Sequence, residues 1–286
     1  MPLLSFPFPA YVRRFLAMAL EEDLGPQGDI TTRLLLTGAQ RSTARLVSKG
    51  DFVVAGLPFA ALVFRLADES TDFSPVADDG ARVKKGDVLA EIKGRTVSLL
   101  AAERVSLNVL QRLSGVATLT DKFVRALDGL GVRLCDTRKT TPVMRYMEKY
   151  AVRMGGGFNH RFGLFDGILI KDNHIEAVGG IKKAVQLARK GGAHLVKIEI
   201  ETGSLTEVKA ALEAGADVIM LDNMSMEDME KAVKLCGKKA LIEASGNVTL
   251  ENVRRIAETG VDLISTGSIT HSAPAADISM RIKREK

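Results

Sequence analysis

Six apolar runs of this chain each end in residues able to do chemistry. Val132–Cys135 leads into Asp136-Thr137-Arg138-Lys139, and Gly167–Ile170 leads into Lys171-Asp172-Asn173-His174. Further on come Glu199 and Glu201, then Asp222-Asn223, then Glu243-Ala244-Ser245-Gly246-Asn247, and last Ser265-Thr266-Gly267-Ser268. In chain order the sequence is cations, cation, carboxylates, carboxylate, small polar, small polar. Arginine offers a planar fork that matches a carboxylate. Glu201 and Asp222 suit ribose hydroxyls or a Mg2+ ion held largely through water. The Ser-Gly-Asn and Thr-Gly-Ser turns read as openings of helices, whose free N–H groups cradle phosphate. The set describes a pocket for a phosphorylated sugar beside a polyanionic acid.

Each residue also has a plainer reading. A lone Arg or Lys at a strand end is often a solvated rim charge. Arg138, Lys139, Arg161 and Lys171 in one layer, with Arg104 nearby, repel one another unless an anion joins them. Glu199 shares strand parity with Glu201 and could simply pair with a neighbouring Lys. Asp222, Ser245 and Ser268 could be helix caps. Among the histidines, His160 and His271 are better site candidates than His174, and His194 reads as structural, at the opposite end of the barrel.

The elements that must position these residues follow from periodicity. Val12, Phe15, Leu16, Ala19 and Leu20 share one helical face, and Gly25-Pro26 stops the helix. From Thr43 to Val97 the pattern turns to short strands: Ala44–Val47, Phe52–Ala55 and Val88–Ile92. Asp78 to Ala90 resembles the hammerhead of biotinyl and lipoyl carriers, but no modifiable Lys sits in a suitable turn, so the segment is expected to be structural. Glu103 to about Leu130 reads as a long helix. Beyond it, Gly192-Ala193-His194-Leu195-Val196, Gly215-Ala216-Asp217-Val218-Ile219 and Gly260-Val261-Asp262-Leu263-Ile264 repeat one pattern. A Gly closes a helix and an apolar run follows, as a parallel strand buried on both faces requires. The expected fold is α/β, with an N-terminal α/β sandwich-like domain over residues 1–112 and an incomplete, open α/β barrel over 113–272. The tail 273–286 is expected to pack back on the first domain. In barrels the strand C-terminal ends carry the site. A doubly wound sheet is disfavoured because no Gly-x-Gly-x-x-Gly follows an early strand.

The bulk numbers narrow the partners. Forty Lys+Arg against 35 Asp+Glu leave a net charge of +5, too mild and too dispersed for a nucleic-acid stripe but suited to an anionic small substrate. The one local basic cluster is Arg281, Lys283, Arg284 and Lys286. Two cysteines in separate segments argue against a disulfide framework. The start carries its first charges, Arg13 and Arg14, after its apolar residues, the reverse of a signal peptide. No apolar run approaches the ~20 residues that span a bilayer. A cytoplasmic location is expected.

Asp136-Thr137-Arg138-Lys139-Thr140-Thr141-Pro142, Glu148-Lys149-Tyr150-Ala151-Val152, Gly155-Gly156-Gly157-Phe158-Asn159-His160-Arg161 and Leu169-Ile170-Lys171-Asp172-Asn173-His174 together resemble the quinolinate phosphoribosyltransferase family. So do Glu103-Arg104, Asn108 to Gly115, Glu243 to Asn247 and Thr270-His271-Ser272. The resemblance implies transfer of phosphoribose from phosphoribosyl pyrophosphate to quinolinate, with loss of CO2 and pyrophosphate, by a homodimer. It places Arg138, His160, Arg161 and Lys171 around quinolinate, with Arg104 entering from the neighbouring subunit. It assigns Lys139, Glu201 and Asp222 to catalysis and to phosphoribosyl pyrophosphate with its Mg2+. It sets Ser245, Gly246, Asn247, Gly267, Ser268 and His271 at the phosphate side of that substrate. Three departures stand out: Val143-Met144 where Gly-Leu is usual, Ser268-Ile269 where Ala-Leu is usual, and Ala275-Ala276-Asp277 where Ala-Leu-Asp is typical. A Gly at 143 would have supplied a positive φ. The rivals are a paralogous phosphoribosyltransferase-like protein linked to molybdenum transport, and a Schiff-base aldolase with Lys171 as nucleophile.

Overall fold

A computed structural model of the chain describes residues 8–284. The apolar start Met1–Pro7 and the basic Lys286 lie outside the described residues. In chain order the elements are α1 (Ala10–Leu24), α2 (Ile30–Leu35), β1 (Arg41–Ser48), β2 (Phe52–Val53), α3 (Leu57–Ala67), β3 (Asp72–Pro75), β4 (Arg82–Val83), β5 (Val88–Arg95) and α4 (Thr96–Ala126). There follow β6 (Arg133–Cys135), α5 (Arg145–Met154), β7 (Ile168–Ile170), α6 (Asp172–Val178), α7 (Ile181–Gly191), β8 (Ile198–Thr202), α8 (Leu205–Glu213), β9 (Val218–Asp222) and α9 (Met226–Cys236). The last are β10 (Leu241–Ser245), α10 (Val253–Glu258), β11 (Leu263–Ser265), α11 (Ser268–His271) and β12 (Ile278–Arg284). Among the described residues no helix is long and apolar enough to cross a membrane.

Two compact units emerge. One gathers residues 1–120, 141–156 and 273–286, and the other gathers 121–140 and 157–272. The contact boundary thus falls at 120 rather than 112, and residues 141–156, expected within the barrel segment, cluster with the first unit.

The first unit holds a four-stranded antiparallel sheet in the order β12-β1-β5-β3. β1 sits at its centre, pairing Ser42 with Arg284 through Ser48 with Ile278 on one side and with β5 on the other. The core is α3, where every residue from Leu57 to Phe64 is buried. Gly56 enters this helix at φ 111°, and a Cβ there would fall 2.8 Å from Leu113 Cδ1, so the close approach requires glycine. The hammerhead turn is structural. Its Asp79 accepts N–H bonds from Gly56 and Leu57 and a hydroxyl bond from Tyr150 at 2.6 Å. Gln111 on α4 donates to the Ile278 carbonyl at 2.9 Å, fixing the returning tail.

The second unit is a six-stranded parallel sheet in the order β6-β11-β10-β9-β8-β7. Its edge strands β6 and β7 do not pair with each other, so the barrel is incomplete. Two of the three Gly repeats work alike. Asp217 accepts from Ile198 N at 2.8 Å and Asp262 accepts from Ile242 N at 2.8 Å, each tying a strand entry to the next strand. The first repeat departs from the expected pattern. His194 takes the aspartate's place, Leu195 is 85% exposed, and β8 begins only at Ile198. The apolar pair Leu195-Val196 therefore precedes the strand instead of opening it.

Candidate active site

The strand C-terminal ends of the barrel unit surround a cavity of about 750 Å³. It is lined by Arg138 and Lys139 after β6, His160 and Arg161 before β7, Lys171 after β7, Glu201 on β8 and Asp222 on β9. Ser245, Gly246 and Asn247 complete it after β10. Ten of the residues expected at the site thus meet in one space. Burial depresses the guanidinium pKa of Arg161, and the charge of Arg138 pushes it the same way. Cations held together in this manner mark a place built for an anion.

Lys139 is positioned by its neighbours. Its carbonyl accepts from Thr270 Oγ1 at 2.8 Å, and its amide donates to Thr137 Oγ1 at 3.0 Å. A Cβ on Gly267 would lie 2.9 Å from Lys139 Cδ and 3.0 Å from His271 Cδ2, so glycine leaves room for both side chains. Gly267 caps α11, and Ser268 is its first residue. The Thr-Gly-Ser turn therefore opens on a helix as expected. The Ser-Gly-Asn turn does not, because α10 starts only at Val253. Instead Asn247 donates to Asn223 Oδ1 at 2.9 Å, and both residues hold positive φ, 49° and 54°. Non-glycine residues in that region are uncommon and cluster at functional turns.

Several plainer readings fall away. Asp222 caps no helix, since Ser225 is the N-cap of α9. Glu199 pairs with His160, not with a lysine: His160 Nε2 is 2.9 Å from Glu199 Oε2. His174 is a local cap whose Nδ1 accepts from Lys171 N at 3.0 Å. Lys171 is ion-paired with Glu201, not set in the apolar pocket a Schiff-base lysine needs. Arg104 is exposed on α4 within the first unit and lines a separate cavity of about 460 Å³ with Phe15, Glu22 and Arg112.

Three residues that the sequence names at strand ends gain definite partners only in the structure. Asp136 is fully buried and holds the His160 loop, accepting from His160 N at 2.9 Å and Asn159 Nδ2 at 2.7 Å. Glu199 and Glu243 are both buried against His160, with Glu243 Oε2 at 3.8 Å from its Nε2. A glutamate inside an otherwise apolar strand, such as Glu243 between Ile242 and Ala244, is the signal that was available, since such burial is costly unless the group has a partner.

The family models decide the relationship. The N-terminal domain model of quinolinate phosphoribosyl transferase matches residues 29–114, and the C-terminal domain model matches 116–281. The chain belongs to the quinolinate phosphoribosyltransferase family. A probable nicotinate-nucleotide pyrophosphorylase [carboxylating] of Bacillus subtilis is 46% identical to it over 91% of this chain and 90% of that relative. Its Synechocystis counterpart is 45% identical over 99% and 96%. The crystal structure of NadC from Streptococcus pyogenes superposes with a TM-score of 0.94 at 41% identity, covering 99% of this chain and all of that one. These family members give no support to the molybdenum-linked paralogue.

Proposed function

We infer that this chain is a nicotinate-nucleotide pyrophosphorylase of the carboxylating type. It joins quinolinate to phosphoribosyl pyrophosphate and releases nicotinate mononucleotide, CO2 and pyrophosphate, a reaction of de novo NAD biosynthesis. The observation that carries the reading is one cavity in which Arg138, Lys139, Arg161 and Lys171 face Glu201 and Asp222. A dianionic pyridine acid suits four cations gathered in one cavity. Arg138, Arg161 and Lys171 bind its carboxylates and aim the ring nitrogen at the anomeric carbon of ribose. Lys139 takes up charge as pyrophosphate departs. Glu201 and Asp222 favour the oxocarbenium-like ribose electrostatically. The Ser245-Gly246-Asn247 and Gly267-Ser268 turns, with His271, hold the phosphate side of the substrate. Alkylation makes the ring nitrogen cationic, and the ring then accepts the electron pair left by CO2.

The donor set fits Mg2+, because two hard carboxylates on adjacent strands line an open, water-accessible cavity. Glu201 and Asp222 would hold the ion through water, and when bound it supplies neutralisation of pyrophosphate charge.

The working unit is a homodimer in which exposed Arg104 reaches the neighbouring subunit's quinolinate pocket. Cys135 and Cys236, both buried and neither in a disulfide, suit a reducing cytoplasm. The test is incubation of the purified protein with quinolinate, phosphoribosyl pyrophosphate and Mg2+, read by mass spectrometry. Nicotinate mononucleotide that requires both substrates is expected, and its absence from folded protein would overturn the reading.

A further inference from the structure

The loop before β7 carries His160 and Arg161 into the substrate cavity, and the end of β6 holds it there. Phe158 N donates to the Leu134 carbonyl at 2.8 Å, and Asp136 N donates to the Phe158 carbonyl at 3.1 Å. Phe158 also forms a parallel bridge with Cys135. The loop therefore begins as a short extra strand on the outer side of β6, which ends the six-stranded sheet. At the next step a side chain takes over from the backbone. His160 N donates to Asp136 Oδ1 at 2.9 Å, and Asn159 Nδ2 donates to Asp136 Oδ2 at 2.7 Å.

Asp136 is fully buried, and a buried carboxylate is costly unless donors satisfy it. Here two donors from adjacent residues converge on one side chain, each on its own oxygen. A carboxylate can accept both. An asparagine amide has one oxygen and would turn its NH2 group on the second donor. The position thus calls for an acid, although Asp136 lies two residues short of the first cation of the cavity wall. What the tie controls is visible on either side of it. Arg138 follows on the same segment, and Arg161 follows His160 on the loop, so the two guanidinium groups reach one cavity from segments that Asp136 joins. Arg161 Nη1 donates to the Gly167 carbonyl at 3.0 Å, while its Nε is buried without an acceptor. A buried donor of that kind is left for a ligand.

We propose that Asp136 is a positioning residue for quinolinate. By accepting from Asn159 and His160 it fixes the separation of Arg138 and Arg161, and so the spacing at which two carboxylates of one pyridine ring are gripped. This rests on the reaction assigned above. Asp136 itself touches no substrate. The groups assigned to phosphoribosyl pyrophosphate stand on other supports: Glu201 on β8, Asp222 on β9 and Ser245 on β10. Lys139, though close in sequence, is held separately, its carbonyl accepting from Thr270 Oγ1 and its amide donating to Thr137 Oγ1. Loosening the tie at Asp136 therefore disturbs the grip on one substrate and leaves the other in place.

The test sets isothermal titration with quinolinate beside steady-state kinetics for both substrates. Asp136→Asn is expected to weaken quinolinate binding and raise its KM by roughly tenfold. The KM for phosphoribosyl pyrophosphate should stay within about twofold of wild type. Asn159→Ala, which keeps Asp136 and its bond to His160, should weaken quinolinate in the same sense by less, and it serves if Asp136→Asn does not fold. Combining Asp136→Asn with Asn159→Asp restores the pairing in reverse: the new amide accepts from His160 N through its oxygen and donates to the new carboxylate. This double variant should recover most of the lost quinolinate affinity, which a general loss of stability would not permit. Equal rises in both KM values, a wild-type quinolinate KM in Asp136→Asn, or no recovery in the folded double variant would overturn the positioning role and leave the reaction standing. Wild-type protein that neither binds nor converts quinolinate would overturn both together.

Discussion

Lys171 Nζ lies 2.5 Å from Glu201 Oε1, so a cation of the proposed quinolinate wall is neutralised by a carboxylate of the proposed ribose and Mg2+ site. Quinolinate must draw Lys171 away from Glu201, or share it. Glu201→Gln should therefore tighten quinolinate binding, by roughly threefold to tenfold for a partly exposed pair, while turnover falls. Isothermal titration with quinolinate alone, set beside steady-state kinetics, checks both directions. Weaker quinolinate binding in the variant would show that the pair organises the pocket instead of competing for it.

Lys139 and Gly267 should fail in related ways. Lys139→Ala is expected to lower kcat on the order of a hundredfold to a thousandfold while circular dichroism stays unchanged. Gly267→Ala adds a methyl 2.9 Å from Lys139 Cδ and should displace that side chain. Its activity should drop less, with the KM for phosphoribosyl pyrophosphate raised. Wild-type turnover in Lys139→Ala would reject the assigned role.

Val143 holds a φ of 66°, a left-handed conformation. A β-branched side chain is strained there, and at 56% exposure it gains little from burial. Val143→Gly should stabilise the protein by about 1 kcal/mol, read as a higher urea midpoint. An unchanged or lower midpoint would mean that the loop absorbs the strain.

Glu243 makes stability depend on pH. Its folded pKa is raised from 4.5 to about 8, so the folded chain holds a proton that the unfolded chain releases. This contribution is fully present below about pH 4.5 and is lost as pH rises through 8. Between pH 5 and 8.5 the wild-type midpoint should fall relative to that of Glu243→Gln. Parallel curves for the two proteins would place the proton elsewhere.

Subunit exchange tests Arg104. Mixing inactive Arg104→Ala with inactive Arg161→Ala should restore activity if Arg104 serves the neighbouring subunit's pocket, because some mixed dimers then carry one intact site. Failure despite demonstrated exchange would confine each site to one chain.

The barrel was legible because its strands are short apolar runs ending in charge, and because Asp217 and Asp262 repeat one tie at strand entries. The same reading misplaced β8, since hydropathy alone cannot tell exposed Leu195 from a buried strand residue. Cavity residues were legible as strand-end residues. Glu199 and Glu243 were among them, but their three-way meeting with His160 was not legible, because β8, β10 and the loop before β7 come together only in the fold. The partners of Asp136 were hidden for a related reason: Asn159 and His160 are distant in sequence and adjacent only once β6 is in place.

The first unit is assembled from three separated stretches of chain, 1–120, 141–156 and 273–286. Its sheet places β1, among the earliest strands, between β5 and the late strand β12. A ribosome delivers these partners far apart in time. The barrel strands all emerge before β12 does, so the half of the protein that is begun first is finished last. Until then one long side of β1 offers unpaired N–H and C=O groups, an edge open to wrong partners. The interval between synthesis of Ser48 and of Ile278 is thus the period in which this protein is most exposed to aggregation.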